Sequence, residues 1–183
     1  MAVEKTWLTA AEFDALAALP ENSDKILEFI GGEIVEVPSN PFASKISSRI
    51  SGFAFIYLQH NDIGHLTGEA GGYMVSGERY APDVGFISYA RQPELTQSGY
   101  NPNPPDLAVE VDFPSTPESQ RQLRLKIANY LAAGTVVWVI YPQNKEIEVY
   151  VPGQPVKILG IKDTLDGGAV LPGFSVAVSE IFG

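Results

Sequence analysis

Four side chains of this 183-residue chain could do chemistry from awkward places: Glu28, Asp83, Glu110 and Lys126. Glu110 interrupts a run of Leu107, Ala108, Val109 and Val111 that is short and β-branched enough for a buried strand. A carboxylate there is costly to bury unless it meets a cation, a metal ion or a cluster of donors. Side chains alternate along a strand, so Glu110 and Asp112 share one face while Val109 and Val111 share the other. Two carboxylates leaving a strand end together can serve as hard oxygen ligands. The plainer alternative is that Glu110 caps a loop or meets an arginine. Glu28 is placed in the same way among Leu27, Phe29 and Ile30. Asp83 follows Pro82 at the mouth of an apolar strand, where proline removes a ladder donor and leaves the strand end open. An aspartate after proline is also an ordinary turn residue, so its force comes from the company of the other acids. Lys126 lies three residues after Leu123 and four before Tyr130, on the flank of a helical apolar face. Either its stem snorkels to water, or its ammonium reaches back to the carboxylates at Glu110.

These residues need elements to hold them. After the Glu110 strand, Pro114 to Glu118 break the chain direction and start a helix. Ser115 and Glu118 have capping-box spacing, and Thr116 before Pro117 offers a second N-cap. Leu123, Ile127, Tyr130 and Leu131 recur at helical spacing, and Gly134 suits a left-handed stop. Upstream, Thr9 and Glu12 form a capping box for a short helix carrying Phe13, Leu16 and Leu19, which Pro20 ends. Residues 26–30 and 34–37 read as strands joined by a Gly31-Gly32 turn, with Glu33 solvated beside it. A longer helix follows Pro41, with Ile46, Ile50, Phe53 and Tyr57 on one face and Lys45 and Arg49 as a modest basic edge. Glycine-punctuated strands with a turn near Ser76-Gly77 fill residues 63–80, and 88–103 read as a loop. Residues 136–141, 146–151, 156–159 and 164–170 read as further strands, before a short terminal helix at 178–182.

Composition narrows the classes. The length fits one domain over 1–183 with a real core, and 45% hydrophobic residues with two tryptophans indicate a globular chain. Having no cysteine excludes disulfides, thiolate metal sites and cysteine nucleophiles. His60 and His65 lack a third nitrogen or sulfur partner for zinc. No Gly-x-Ser-x-Gly elbow, Walker motif or dinucleotide glycine fingerprint occurs. A net charge of -10 argues against indiscriminate nucleic-acid binding, which feeds on basic surface. The expectation is a cytoplasmic protein with no membrane association, since no apolar run approaches the roughly 18 residues of a span and the N-terminus lacks a signal-like pattern.

Pro82-Asp83 followed by Glu110-Val111-Asp112 resembles the Pro-Asp…(Asp/Glu)-x-Lys signature of the restriction-endonuclease-like nuclease superfamily. Further segments, in order, resemble the large bacterial family of restriction endonucleases of unknown biological role. They are Leu27-Glu28-Phe29-Ile30-Gly31-Gly32-Glu33-Ile34-Val35-Glu36, Ala81-Pro82-Asp83-Val84 and Pro104-Pro105-Asp106-Leu107-Ala108-Val109-Glu110-Val111. Lys126-Ile127-Ala128-Asn129-Tyr130-Leu131-Ala132-Ala133-Gly134 and Leu171-Pro172-Gly173-Phe174 complete the set. The resemblance implies an α/β fold, a mixed β-sheet flanked by helices in a single domain, with acids and lysine at one sheet end. It implies Mg²⁺ (or Mn²⁺) on Asp83 and Glu110, with Glu28 completing the site as a further ligand or supporting it. Lys126 then takes the place of the motif lysine, whose position here is Asp112.

Such a set suits DNA phosphodiester hydrolysis, where a cation on hard carboxylates offsets the charge of a pentacoordinate phosphorus and a lysine stabilises it further. A two-fold homodimer would supply two sites for the two strands of DNA. The competing expectations are a decayed nuclease fold acting as a binding or assembly module, and a metal-dependent phosphatase or other hydrolase.

Overall fold

The computed structural model describes residues 7–37, 40–113 and 115–183. Among the described residues, three sheets and four α-helices form. Strands β1 (Leu27–Ile30) and β2 (Glu33–Glu36) form an antiparallel hairpin, with Gly31 and Gly32 both at positive φ as this turn requires. β4 (Tyr73–Val75) and β5 (Glu78–Tyr80) form another about Ser76-Gly77, and β5 pairs with β1, giving the order β2-β1-β5-β4.

The larger sheet contains β3 (Gly64–Gly68), β6 (Val84–Ser88), β7 (Leu107–Val111), β8 (Val136–Tyr141), β9 (Glu146–Tyr150) and β10 (Lys157–Leu159). Its order is β10-β9-β8-β7-β6-β3, and only β7 and β8 run parallel. A parallel pair needs a crossover. Here it is helix α3 (Pro117–Ala132), ended by Gly134 at φ +79. Helices α1 (Ala10–Ala17) and α2 (Pro41–Leu58) precede the large sheet, and α4 (Val178–Phe182) closes the chain.

Alternation along the strands divides the core between two faces. Leu107, Val109, Trp138 and Ile140 pack with Ile46, Ile50 and Ala54 of α2. Ala108, Val137 and Val139 pack instead with Ile127 and Tyr130 of α3 and with Ile30 and Tyr80 of the smaller sheet. Each fully buried aliphatic side chain contributes roughly 1.5–3 kcal/mol of transfer free energy. Register therefore commits Glu110, which shares its parity with Ala108, to the α3 side. The same face of β1 carries Ile30 and Glu28, so the small sheet brings its acid to the same helix.

One open choice is decided and two local expectations change. The N-cap of α3 is Thr116, with Ser119 completing the capping box; Glu118 instead pairs with Arg121 on the surface. The strand expected over 164–170 ends early as β11 (Thr164–Asp166), because Gly167-Gly168 turns the chain; it pairs with β12 (Ser175–Ala177) in a separate two-stranded sheet. Lys45 and Arg49 do not form a free basic edge. They donate to the carbonyls of Gly183 and Glu180 and tie α2 to the terminal helix. The Pro38-Ser39 approach to α2 and Pro114 lie outside the described residues. Among the described residues, no helix is long and apolar enough to cross a membrane.

Candidate functional site

Burial forces the four singled-out residues to find partners, and three of them find each other. The Lys126 Nζ donates to Glu110 Oε2 at 2.7 Å and to Glu28 Oε1 at 2.8 Å. Lys126, Glu110 and Glu28 are only 6%, 8% and 4% exposed, so these are interior ion pairs rather than surface contacts. Helical spacing explains the lysine's direction: it lies one turn before Tyr130, whose buried hydroxyl donates to the other Glu110 oxygen, Oε1, at 3.2 Å. The ammonium also lies 5.6 Å from the centroid of the Tyr80 ring. Of its three donor hydrogens, two are engaged by the carboxylates. Snorkelling to water is thus excluded, and the partner of Glu110 is a lysine and not an arginine.

Glu28 is held by its strand and by a second donor, the backbone N–H of Ala81 at 2.7 Å. That bond fixes the segment immediately before Pro82-Asp83. Asp83 itself accepts from the backbone N–H of Val111 at 2.6 Å, which joins the entry of β6 to the exit of β7. All three acids, Lys126 and Asp112 line one cavity of about 250 Å³ between β1, the β6 and β7 ends and α3. A larger cavity of about 770 Å³ opens beside α1; there Asp24, Lys25 and Glu69 are exposed, and Asp14 is balanced by Arg79 at 2.7 Å, so that cavity holds no excess of buried carboxylates. The buried, unbalanced ionisable cluster lies in the smaller space.

Its charge is unbalanced: four carboxylates face one ammonium. Burial, set against the pull of Lys126 and reinforced by Glu28 and Asp83, pushes the Glu110 carboxyl up to about 8. Burial likewise pushes Asp83 up to about 6, despite the Val111 N–H and Lys126. Desolvation would lower Lys126, but Glu110 and Glu28 more than offset it and hold the ammonium protonated well above its ordinary range. The shifts have one origin, because a net negative cluster out of water favours every added proton. Asp112 is also raised by burial, and its Oδ2 is enclosed with no hydrogen-bond partner among the described residues.

Among the described residues, no three His, Cys, Asp or Glu side chains close into a ready-made metal cage. Magnesium does not require one. It usually keeps several waters and binds through one or two carboxylates together with substrate phosphate. Hard oxygen donors in excess of cations and an enclosed, unpartnered carboxylate oxygen fit a small divalent ion.

The match to protein-family models decides the family. Residues 10–179 match the Uma2 family, described as "Putative restriction endonuclease". The chain belongs to this family. The Uma2 match spans every residue of the cavity and agrees with the resemblance carried by the Pro82-Asp83 and Glu110 segments. A crystal structure from Anabaena variabilis, titled a putative nuclease belonging to DUF820, superposes with a TM-score of 0.80. It is 20% identical, and the match covers 96% of this chain and 97% of that one; at this identity it shows the fold. None of the curated proteins matches the chain.

Sequence reasoning placed Tyr130 only on the apolar face of its helix and missed its hydroxyl. The signal was available: a tyrosine one turn after a lysine, facing a strand that carries an acid. It also missed the Ala81 and Val111 backbone donors, which no side-chain pattern announces.

Proposed function

We propose that this Uma2 chain is a divalent-metal-dependent endonuclease that hydrolyses DNA phosphodiester bonds in the cavity beside Lys126. The observation that carries the reading is the bridge of Lys126 to Glu28 and Glu110, enclosed in one cavity with Asp83. Asp83 and Glu110 are the residues to hold Mg²⁺ or Mn²⁺, and Glu28 supports them by fixing the lysine and the Ala81 backbone. When bound, the cation supplies positive charge to the phosphate and lowers the pKa of water. Lys126 keeps its charge at every pH of interest, and its third donor hydrogen can meet a phosphate oxygen as negative charge develops there. Tyr130 orients Glu110, so the carboxylate stays aimed at the cavity while the lysine is shared. Closure of the apolar walls strengthens each of these interactions by limiting water. Two-strand cleavage calls for two such sites, so a homodimer is part of the reading.

The test is cleavage of supercoiled plasmid with Mg²⁺ or Mn²⁺, against EDTA and against Asp83→Asn. Metal-dependent nicking by the wild type, lost in the variant, is expected. Equal nicking by Asp83→Asn would reject the assignment. Light scattering at micromolar concentration tests the dimer; a strictly monomeric mass would remove it from the reading.

One observation favours a second reading. Both engaged hydrogens of Lys126 are committed to carboxylates, the arrangement expected if the cluster had become a structural ion-pair node in a binding or assembly module. Cation binding with no turnover of any nucleic acid would favour that reading.

A further inference from the structure

Asp112 is the one charged residue of the cavity whose chemistry is unanswered. It follows β7, on the same strand face as Glu110, and its backbone N–H donates to the Ile140 carbonyl at 2.9 Å, which fixes its position against β8. The side chain is half-buried, and Oδ2 is enclosed with no donor among the described residues. A carboxylate oxygen removed from water without a donor carries a desolvation cost of about 1–3 kcal/mol or more. Lys126 directs two of its hydrogens to Glu28 and Glu110 and donates none to this oxygen. Tyr141, at the adjacent end of β8, does not answer it either, because its hydroxyl donates to Glu148 at 3.3 Å. No donor among the described residues reaches Oδ2, and what is left over is a hard anionic oxygen.

We propose that Asp112 is a cation-binding residue of this cavity, its carboxylate anchoring the divalent ion through the water shell that such an ion keeps. This rests on the reading above that a divalent cation belongs in the cavity, and adds a carboxylate to the Asp83 and Glu110 pair. Anchoring through water needs no closed three-ligand cage. Magnesium dehydrates reluctantly and reaches many carboxylates in this way. Asp112 also sets the charge of the site: where a cationic residue at this position would compete with the ion, an acid draws it in. Outer residues of this kind typically change metal affinity by about 10–100-fold when removed.

The experiment is Mn²⁺ binding by electron paramagnetic resonance and Mg²⁺ binding by titration calorimetry, on wild type, Asp112→Asn and Asp83→Asn. Melting temperatures are measured with EDTA and with excess Mg²⁺. Asp112→Asn keeps the side-chain size, and in EDTA it is expected to melt at or above the wild-type temperature, because it removes an unanswered charge. With metal, its affinity falls at least about tenfold and its Mg²⁺-induced melting shift shrinks. Wild-type affinity in a folded Asp112→Asn protein overturns the inference while leaving Asp83 and Glu110 untouched. Unchanged affinity in Asp83→Asn with weakened binding in Asp112→Asn supports the inference and rejects the two-carboxylate site instead. Absence of cation binding by the wild type overturns both. If Asp112→Asn fails to fold, Asp112→Ser provides the same readouts, with the same outcomes.

Discussion

Replacing Lys126 by methionine separates a buried charge node from ordinary packing more sharply than any other change. Methionine keeps most of the apolar stem, so what is lost is the ammonium, with its bonds of 2.7 and 2.8 Å to Glu110 and Glu28. Both carboxylates then remain inside the protein with no cation between them. Removing one partner of a buried pair costs about 3–5 kcal/mol. For a chain of this size each kcal/mol moves the melting temperature by about 2–4 °C, so a loss of roughly 6–20 °C is expected at pH 8. The cost must also depend on pH. In the wild type, the Glu110 carboxyl is raised from 4.5 to about 8. The folded state thus holds more protons than the unfolded one across that window, and this group's contribution falls as pH rises through it. Without the lysine the carboxyl rises further, and the window widens. The difference between the two proteins therefore grows from pH 5 to pH 9. Lys126 itself adds no slope there, because its raised folded-state value lies above its ordinary value of 10.5 and its contribution is complete below that. The assay is thermal or urea unfolding at pH 5, 7 and 9, with Lys126→Met/Glu110→Gln as the second variant. The double change should recover more than half of the loss, since an amide facing Glu28 leaves one carboxylate rather than two. A melting loss under about 2 °C at pH 8 with no pH trend would refute the buried-node argument, because exposed pairs contribute about 0–1 kcal/mol.

Other consequences follow from the same geometry. Affinity for Mg²⁺ should rise from pH 5.5 to pH 8.5, because Asp83 and Glu110, raised to about 6 and about 8, must lose protons to become ligands; a flat calorimetric profile would remove them as ligands. Tyr130→Phe strips the donor from Glu110 Oε1 and should cost about 1–3 kcal/mol in urea unfolding. In the Glu110→Gln background that cost should shrink, and a full, additive loss would place the effect in packing. Thr116→Ala removes the observed N-cap of α3 and should cost about 1 kcal/mol, whereas Ser115→Ala should cost less than half of that. Equal losses would return the cap to Ser115.

Much of this architecture was legible locally. The Thr9 and Glu12 capping box, the Gly31-Gly32 turn and the stop at Gly134 each depend on a few neighbouring residues and appear as read. Strand alternation likewise put Glu110 and Asp112 on one face before any partner was known. The family was legible too, from short motifs spread along the chain. What the sequence left open was pairing over distance. Glu28 and Lys126 are 98 positions apart, and nothing near either residue says that a hairpin and a helix will place them 2.8 Å from each other. The choice between a snorkelling and a bridging lysine was a choice between two solvents, and only the closed fold sets which one surrounds the ammonium. Lys45 and Arg49 show the converse: they read as a basic edge, and the carbonyls of Glu180 and Gly183, more than a hundred residues away, took them. Asp112 depended on tertiary structure most of all, since only the chain packed around it encloses Oδ2 without bringing a donor to it. Periodicity records which face a side chain leaves from; desolvation, which determines its protonation and its partner, is a property of everything packed around it.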